Sequence, residues 1–393
     1  MKILSINAGS SSLKFTLYKM PEEEKIATGQ FERIGIKDGS YKIKVAGEKV
    51  EKQQDLKDHK VAIDILLKEL IDLKIIEDLN EIKAVGHRVV QGADKYDDSV
   101  IITDEVVKDI EKFSSLAPLH NPANLIGYQA VKEKLSDAKH VAIFDTAFHQ
   151  SIPKVKYTYP LPLEFLDLKV RKYGFHGTSH KYITEYMEKY LNKEKVNLII
   201  CHIGNGASIT AVKNSKSFDT SMGFTPVSGL MMGTRCGDID VSIAPYIMEK
   251  LNITIDEFMN ICNKKSGLLG VSEYSSDSRD IEAKVEEKDE KAILATDIYA
   301  DKVVNYIANY YFALEGKLDG IVFTAGIGEN SATTRKRIID KLKCIDIFLD
   351  EKANDETRGD FGIISSKDSK YNVYVVPTDE EVEIARDTYR LTK

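Results

Sequence analysis

Residues 3–17 read ILSINAGSSSLKFTL, and this stretch decides the fold. An apolar strand runs into a turn of one glycine and three serines, and a second strand follows that carries Lys14. Backbone N–H groups and hydroxyls in such a turn suit phosphate oxygens, and the lysine adds a positive charge. We therefore predict a β-hairpin that binds a phosphate group.

A second stretch of the same kind lies half a chain away. Residues 198–210 read LIICHIGNGASIT, which again predicts a strand, a polar glycine turn and a strand. Ser12 and Ser208 occupy matching places, 196 residues apart in a chain of 393 residues. Two phosphate-type hairpins at this separation predict two related domains that close on one nucleotide.

The length of the chain also favours two domains, because 393 residues exceed one ordinary core. Strand-like runs alternate with helical ones, which indicates an α/β fold. Three prolines within residues 153–162 interrupt this alternation. We place an N-terminal domain at 1–150 and a C-terminal domain at 151–381, and we expect the last helix, 382–393, to pack back on the first domain.

Composition excludes several classes of protein. A net charge of −7 is unlike that of a dedicated nucleic-acid binder, which would show a basic face. No run approaches the ~18 apolar residues of a membrane span, and the N-terminus lacks the apolar core of a signal peptide. The four cysteines are scattered, which indicates reduced thiols. We expect a cytoplasmic protein that binds neither nucleic acid nor membrane.

Apolar residues at helical spacing, together with capping residues, predict helices at 61–73, 179–191, 240–251 and 292–314. Ser179 and Asp240 are the predicted N-caps of the second and third. The sequence TDEE at 378–381 predicts a capping box at the start of the last helix. Glu381 would serve that helix start, which leaves Glu380 available for another role.

Ten segments resemble the acetate kinase family, in the order in which that family has them. They are INAGSSSLKF, GHRVV, LAPLHNP, FDTAFHQ, RKYGFHGTSHKY, CHIGNGASIT, SMGFTP, MGTRCGDID, TAGIGEN and PTDEE. The family belongs with the actin-like, heat-shock-type and sugar-kinase ATPases. The resemblance therefore implies two RNase H-like domains with a nucleotide cleft between them.

The resemblance implies reversible transfer of the ATP γ-phosphoryl group to acetate, giving acetyl phosphate and ADP by direct in-line transfer. Such a site must concentrate positive charge, because two anions meet and the transition state is negative. Guanidinium groups fork onto these oxygens and stay charged, which suits Arg88 and Arg235; the alternative for either is an interdomain salt bridge. His176 resembles the family histidine that donates to the phosphoryl oxygens, and Asp145 would orient Arg235 or magnesium-bound water.

The reaction further requires Mg²⁺, with Mn²⁺ as a substitute, and the candidate oxygen ligands are Asn7, Asp145 and Glu380. Asn7 lies at the mouth of the first turn, and Glu380 resembles the family's metal-linked carboxylate, so Asn7 and Glu380 are the predicted ligands. For ATP and ADP the resemblance implies four groups of contacts. They are Ser10, Ser12 and Lys14 for phosphate; His202, Ile203, Gly204, Asn205 and Gly206 for the phosphates; Gly326, Ile327, Gly328, Glu329 and Asn330 for the adenosine side; and Asp277, Ser278 and Arg279 for the ribose and adenine pocket. Ser278 stands where the family commonly has an aromatic residue, which predicts weaker base stacking.

The residues that match the family's apolar wall around the acetate methyl group are Val90, Leu119, Phe175 and Pro226, for which ordinary core residues are the alternative. His120 would position the pocket, with a buried structural histidine as its alternative. A small apolar pocket distinguishes acids by only ~1–3 kcal/mol per methylene, so a propionate or butyrate kinase is the nearest alternative. A non-catalytic actin-like nucleotide switch is a second alternative. The turn at 91–93, Gln-Gly-Ala, replaces the usual His-Gly-Gly, so its backbone is expected to differ. The resemblance alone implies a homodimer.

Overall fold

The computed structural model describes residues 1–45 and 47–393. The chain forms two compact units. Unit 1 contains residues 1–150 and 379–393, and unit 2 contains residues 151–378.

The strands are β1 (Lys2–Ala8), β2 (Ser12–Lys19), β3 (Glu24–Glu32), β4 (Ser40–Val45), β5 (Glu48–Gln53), β6 (Ile82–Val89), β7 (Val100–Ile101), β8 (Lys139–Phe144), β9 (Leu198–Ile203), β10 (Ala207–Lys213), β11 (Lys216–Thr220), β12 (Gly320–Thr324), β13 (Gly362–Ile363) and β14 (Val373–Val375). The helices are α1 (His59–Asp72), α2 (Asp104–Lys112), α3 (Asn121–Lys134), α4 (Lys154–Tyr157), α5 (Gly177–Leu191), α6 (Ile243–Leu251), α7 (Ile255–Lys264), α8 (Gly267–Ser272), α9 (Ser278–Glu286), α10 (Glu290–Ala313), α11 (Ala325–Asn330), α12 (Ala332–Ile339), α13 (Glu351–Glu356) and α14 (Glu380–Thr392).

Unit 1 is built on one mixed sheet, with strand order β5-β4-β3-β2-β1-β6-β8-β7 in the described part of the chain. Strands β1 to β5 follow one another antiparallel, whereas β1, β6 and β8 are parallel. Helix α14 packs against β1 and β6. A Cβ at Gly86 would lie 2.3 Å from the Thr388 hydroxyl and 2.5 Å from the Ile384 side chain, so glycine permits this close approach.

Unit 2 repeats the same plan with strand order β11-β10-β9-β12-β14-β13. Here β9, β10 and β11 form the antiparallel part, and β9, β12 and β14 are parallel. Helices α5, α10 and α11 pack against β9. The predicted α/β fold is confirmed, as are both predicted hairpins, β1–β2 and β9–β10.

Two predicted helix starts are wrong. Helix α5 begins at Gly177 after His176, whose φ of 58° is left-handed, so Ser179 lies inside the helix instead of capping it. The Ser179 hydroxyl contacts a ring nitrogen of His202. Helix α6 begins only at Ile243, because the Asp240 carboxylate accepts the N–H of Ser242 in a turn before the helix.

The predicted capping box at 378–381 is also wrong. The side chain of Asp379 caps α14 by accepting the N–H of Val382 at 3.0 Å. The Thr378 hydroxyl instead contacts the Ser179 hydroxyl at 2.8 Å. An aspartate directly before the first helical residue is as good a cap as a threonine, and a tertiary contact engages the threonine. None of the helices in the described ranges is long and apolar enough to span a membrane.

Candidate active site

The serine turn of unit 1 is held in place by its neighbours. The N–H of Gly9 donates to the carbonyl of Ser12 at 2.8 Å, and Nε2 of His59 lies 2.7 Å from the Gly9 carbonyl. The amide of Asn124 donates to the carbonyl of Ala8 at 2.7 Å. These bonds leave the turn's own hydroxyls available to a ligand.

Of the residues predicted to bind phosphate here, Ser10 and Lys14 are exposed and Ser12 is half-buried. The positive charge of Lys14 therefore lies at the surface beside the turn. This exposure suits groups that meet a charged ligand from solvent.

Arg88, the penultimate residue of β6, forms an ion pair with Asp145, which directly follows β8. The Arg88 guanidinium reaches both carboxylate oxygens, with the Nη2–Oδ2 distance at 2.5 Å, and its Nη1 donates to Oδ1 of Asn7 at 3.2 Å. Asp145 is only 1% exposed. Burial lowers the pKa of Arg88, but the Asp145 and Glu380 carboxylates outweigh burial and raise it. The partner of Arg88 thus lies in its own unit, and its guanidinium is fixed and permanently charged.

Glu380 opens α14 close to this ion pair. Burial raises its pKa to about 7, with Arg88 opposing and Asp145 reinforcing the shift. The oxygen atoms of Asn7, Asp145 and Glu380 are donors that Mg²⁺ prefers. No group of three or more His, Cys, Asp or Glu side chains in the described ranges could hold a metal ion alone. The donor set therefore fits an ion that keeps water and phosphate oxygens as its other ligands.

The predicted acid-binding residues divide between the units. Val90 is buried at the end of β6, where its N–H donates to the Asn124 amide oxygen at 3.0 Å. Leu119 is 55% exposed, and His120 directly precedes α3. Phe175 is buried in unit 2. The burial of Val90 and Phe175 fits pocket-wall residues and ordinary core residues alike, and their contact with acetate stays a prediction. Leu119 stands open to solvent.

The turn at 91–93, whose sequence departs from the usual His-Gly-Gly, is stabilised by the side chain of Gln91. Oε1 of the fully buried Gln91 accepts the N–H of Ala93 at 2.9 Å, and the N–H of Gln91 donates to the Asn121 amide oxygen at 3.0 Å. Ala93 has a φ of 53°, in the left-handed region that favours glycine. The turn thus takes a left-handed conformation, stabilised by Gln91 and without the usual glycine.

In unit 2 the Arg235 guanidinium lies close to the backbone of the glycine turn between β9 and β10. The N–H of Gly233 donates to the Asn205 carbonyl at 3.0 Å, and a Cβ at Gly233 would collide with the Asn205 side chain. Two residues on, Nη1 of Arg235 donates to the Pro226 carbonyl at 3.1 Å. In the part of the chain that the structure describes, Arg235 has no carboxylate partner. Burial alone lowers its pKa.

His176 faces this turn from the start of α5. Its Nδ1 lies 3.0 Å from the hydroxyl of Ser208, and the same hydroxyl lies 2.8 Å from Nε2 of His180. The ring of His202 stacks on that of His176, with centroids 4.2 Å apart. A Cβ at Gly206 would lie 3.4 Å from Arg235 Nη1 and 3.6 Å from His176 Nε2. The arginine and the histidine therefore flank the same glycine.

An open pocket of about 710 Å³ in unit 2 borders the glycine turn at Gly204 and Asn205. Its lining includes Gly204, Asn205, Asp277, Ser278, Arg279, Gly326, Ile327 and Asn330, together with Arg358. Asp277 caps α9 and pairs with the Arg279 guanidinium at 2.6 Å. The predicted phosphate and adenosine segments of unit 2 thus border one cavity.

Two further residues of the TAGIGEN region face inward. The carboxylate of Glu329 accepts the N–H of Ala325 at 2.7 Å and that of Thr378 at 3.0 Å, and burial raises its pKa. Arg335 is fully buried and donates to the carbonyls of Gly328 and Glu329, which close α11. Glu329 therefore supports the fold of the glycine segment. Its direct contact with nucleotide stays a prediction.

Sequence reasoning missed several residues that organise the site. Asn121 and Asn124 hold the backbone after β6 from the buried face of α3; Asn121 lies within the LHNP motif and Asn124 two residues after it. Arg335 lies on the face of α12 that buries Ile338 and Ile339, and a charged residue at that spacing was a usable signal. The sequence placed Ser208 in the second hairpin but not its contacts with two histidines, and it gave no signal for His59, because these contacts join distant parts of the chain.

Known proteins are similar to this chain over nearly its full length. The family model described as Acetokinase family matches residues 2–386. The acetate kinase of Bacillus subtilis (strain 168) is 51% identical over 395 residues, covering 100% of both chains. The crystal structure of Porphyromonas gingivalis acetate kinase is 43% identical with a TM-score of 0.93, and it covers 100% of both chains.

A propionate kinase is also similar. Its crystal structure, from Francisella tularensis subsp. tularensis SCHU S4, is 40% identical with a TM-score of 0.95 and covers 99% of each chain. The matches thus span both units and every motif described above. The chain belongs to the acetokinase family.

Proposed function

We propose that this chain transfers the γ-phosphoryl group of ATP to acetate and catalyses the reverse reaction from acetyl phosphate and ADP. Membership of its family makes it a phosphotransferase with a carboxylate acceptor. The observation that carries the proposal is Arg235, a half-buried guanidinium without a carboxylate partner in the described residues, beside a glycine turn. A cation partly withdrawn from water favours an anionic ligand, which would restore the interactions lost with water.

In unit 2, Arg235 and His176 would act on the phosphoryl group that is transferred. Both flank Gly206, where backbone can approach a ligand closely. Donors placed there are fixed before the reaction, so they stabilise the growing negative charge without reorganising. Direct in-line transfer needs no covalent intermediate on His176. The segments around the 710 Å³ pocket would take the nucleotide.

In unit 1, Arg88 would bind an oxygen anion with the edge of its guanidinium that Asp145 leaves available. Asn7 and Glu380 would hold Mg²⁺ or Mn²⁺, which when bound neutralises phosphate charge. Glu380, with a pKa raised to about 7, would be kept ionised by such a cation. That a single nucleotide is shared by both units stays a prediction.

The proposal is tested with purified full-length chain, ATP, Mg²⁺ and hydroxylamine, which converts an acyl phosphate into a hydroxamate. We expect hydroxamate from acetate only when ATP is present. Arg235→Ala serves as the matched negative control. Absence of hydroxamate with acetate, propionate and butyrate would favour a non-catalytic nucleotide switch.

The same assay separates acids of different length. Similarity to a propionate kinase supports propionate as the second candidate acceptor. Buried Val90 would limit the pocket, and one methylene is worth only ~1–3 kcal/mol. We expect the highest kcat/KM with acetate; a higher value with propionate or butyrate would move the assignment to the longer acid.

We also propose a homodimer located in the cytoplasm. Large apolar side chains are exposed along residues 239–259. They are Ile239, Val241, Ile243, Tyr246, Leu251, Ile255 and Met259. Exposed apolar surface of this extent supports self-association. The four free cysteines support a reducing compartment. Sedimentation velocity should give twice the 44.1 kDa chain mass, and Val241→Asp should shift it toward the monomer.

A further inference from the structure

We propose that the Ser208 hydroxyl is a positioning group that holds His176 as the tautomer with its proton on Nε2. In this form Nδ1 of His176 accepts the serine O–H, and His180 donates its Nε2–H to the serine oxygen. The choice of direction rests on the proposed function, because it presents an N–H to an anion. Ser208 would act through His176 and not touch the substrate.

Ser208 is well placed to fix a proton because it is isolated from water. It lies on β10 with no exposed surface, and His180 is equally buried in α5. The hydroxyl lies 3.0 Å from Nδ1 of His176 and 2.8 Å from Nε2 of His180. In the described part of the chain these two ring nitrogens are its hydrogen-bond partners.

The hydrogens that Ser208, His176 and His180 can donate limit how these three groups can be hydrogen-bonded to one another. A hydroxyl has one hydrogen to donate and two lone pairs to accept with. If both imidazoles donated, the serine hydrogen would be left buried without an acceptor, which is costly. One ring therefore donates to Ser208 and the other accepts from it. The tautomers of His176 and His180 are thereby coupled.

The surroundings of His176 decide the direction. Its Nε2 lies beside Gly206, where the Nη1 atom of Arg235 also lies. A bare nitrogen lone pair there would repel an anion that the guanidinium attracts, whereas an Nε2–H adds a second donor. The opposite tautomer would make His176 an acceptor at a site otherwise built from donors.

Stacking on His202 opposes a ring flip of His176. The ring of His176 lies 4.2 Å from that of His202, at an interplanar angle of 24°. Nδ1 of His202 is in turn 2.8 Å from the Ser179 hydroxyl. A ring flip of His176 would exchange Nδ1 and Cδ2 at Ser208 and lose the bond. The hydroxyl therefore sets both the proton position and the ring orientation.

The tautomer is measured directly on the full-length wild-type chain by ¹⁵N-histidine NMR without ligands. The chain has eight histidines, and His176→Gln identifies the relevant signal by its loss. We expect Nε2 of His176 to carry the hydrogen and Nδ1 to be bare. A majority of the Nδ1–H form, or an even mixture, overturns the proposal.

Ser208→Ala should populate both tautomers of His176 and lower kcat about 10-fold. This loss is smaller than the ~100-fold scale of losing a donor outright, because the His176 donor is misplaced and not removed. The KM values for ATP and acetate should change less than about 3-fold, since binding groups remain. Ser208→Thr, which keeps the hydroxyl, should restore most of kcat and the single tautomer. Loss of kcat in Ser208→Ala with an unchanged tautomer contradicts the proposal.

Thr210→Val is the matched control. Thr210 is two residues along the same strand and equally buried, and its hydroxyl contacts that of Thr220 at 2.9 Å. Removing this hydroxyl should leave both kcat and the His176 tautomer unchanged; a tautomer shift here would show a general strand effect and overturn the role of Ser208. The NMR result does not depend on turnover, so a chain without acetate kinase activity but with the Nε2–H tautomer would refute the proposed function alone.

Discussion

The two hairpins share one strand plan, yet their surroundings differ in charge. Behind the β1–β2 turn, Arg88 is neutralised by Asp145 and lies near Glu380. Beside the β9–β10 turn, Arg235 donates to a carbonyl and a sulfur atom, and the imidazole of His176 and the amide of Asn205 lie nearby. A repeated fold thus carries an ion-paired arginine in one unit and an unpaired arginine in the other.

This difference gives the two arginines different properties: Arg88 is held in one orientation, and Arg235 retains more of its attraction for an anion. The carboxylate of Asp145 holds the Arg88 fork in one direction at the cost of part of its positive potential. Arg235 keeps its full charge and depends on a ligand to satisfy it. Within its own unit, Arg235 is therefore the stronger attractor of an anion, whereas the Arg88 guanidinium is held more rigidly in one orientation.

The largest effects should come from removing each arginine. Arg88→Ala and Arg235→Ala should each lower kcat by at least ~100-fold, the scale of lost transition-state donors. Only Arg88→Ala should also cost about 3–5 kcal/mol of the free energy of unfolding, because it removes the guanidinium that pairs with the buried Asp145 carboxylate. Steady-state kinetics and urea unfolding measure the two effects.

A matched double variant tests the cause of that instability. Arg88→Ala combined with Asp145→Asn should recover part of the lost free energy, since no buried charge is left unpaired. Equal destabilisation by Arg88→Ala and Arg235→Ala would erase the contrast between the units. Near-normal turnover in both single variants would remove the proposed mechanism.

Acid should weaken unit 1 through a pair of neutral histidines. His87 and His140 lie 2.9 Å apart in the core, and burial lowers the pKa of His140 to about 4. An unfolded histidine titrates near 6.5, so the unfolded chain binds the extra proton between pH 6.5 and 4. This contribution is complete above pH 6.5 and is lost as pH falls, by about 2.5 kcal/mol at pH 4.5.

The measurement compares wild type with His140→Gln by urea unfolding at pH 7 and pH 4.5. Taking the difference cancels other groups, including Glu380, whose raised pKa acts in the opposite direction. The stability advantage of wild type should shrink at the lower pH. A pH-independent difference would show that His140 is not neutral in the folded chain.

The smallest effect concerns the nucleotide pocket of unit 2. Ser278 lies in the open cavity beside Arg279, without an aromatic face for the base. Ser278→Phe should lower the KM for ATP about 5- to 10-fold, the low end of base–aromatic stacking. Ser278→Ala is the control and should leave the KM near wild type. An unchanged KM in Ser278→Phe would place the base elsewhere.

Local patterns were enough to predict the strands that position the site. The apolar runs of β1, β6, β8, β9 and β12 are near-continuous, which is typical of strands covered on both faces. Arg88 and Asp145 could each be placed near the C-terminal end of such a run. Their pairing with each other follows from the parallel β6–β8 register, which the sequence does not state.

Helix starts and polar networks were less predictable. His176 takes a left-handed conformation before α5, so Ser179 moves inside the helix and contacts His202 instead. Thr378 is likewise drawn to Ser179, and Asp379 caps the helix in its place. In both cases a contact between residues far apart in sequence overrides a local capping preference. Such contacts depend on the finished fold.

The return of α14 to unit 1 has a consequence during synthesis. Residues 1–150 leave the ribosome while the surface of β1 and β6 that α14 covers is still bare. All of residues 151–378 must be translated before that helix exists, a delay on the order of 10–50 s at ~5–20 residues per second. The nascent N-terminal half therefore leaves the strand surface around Gly86 uncovered throughout this interval, so this face of its sheet is covered only after the rest of the chain has been made.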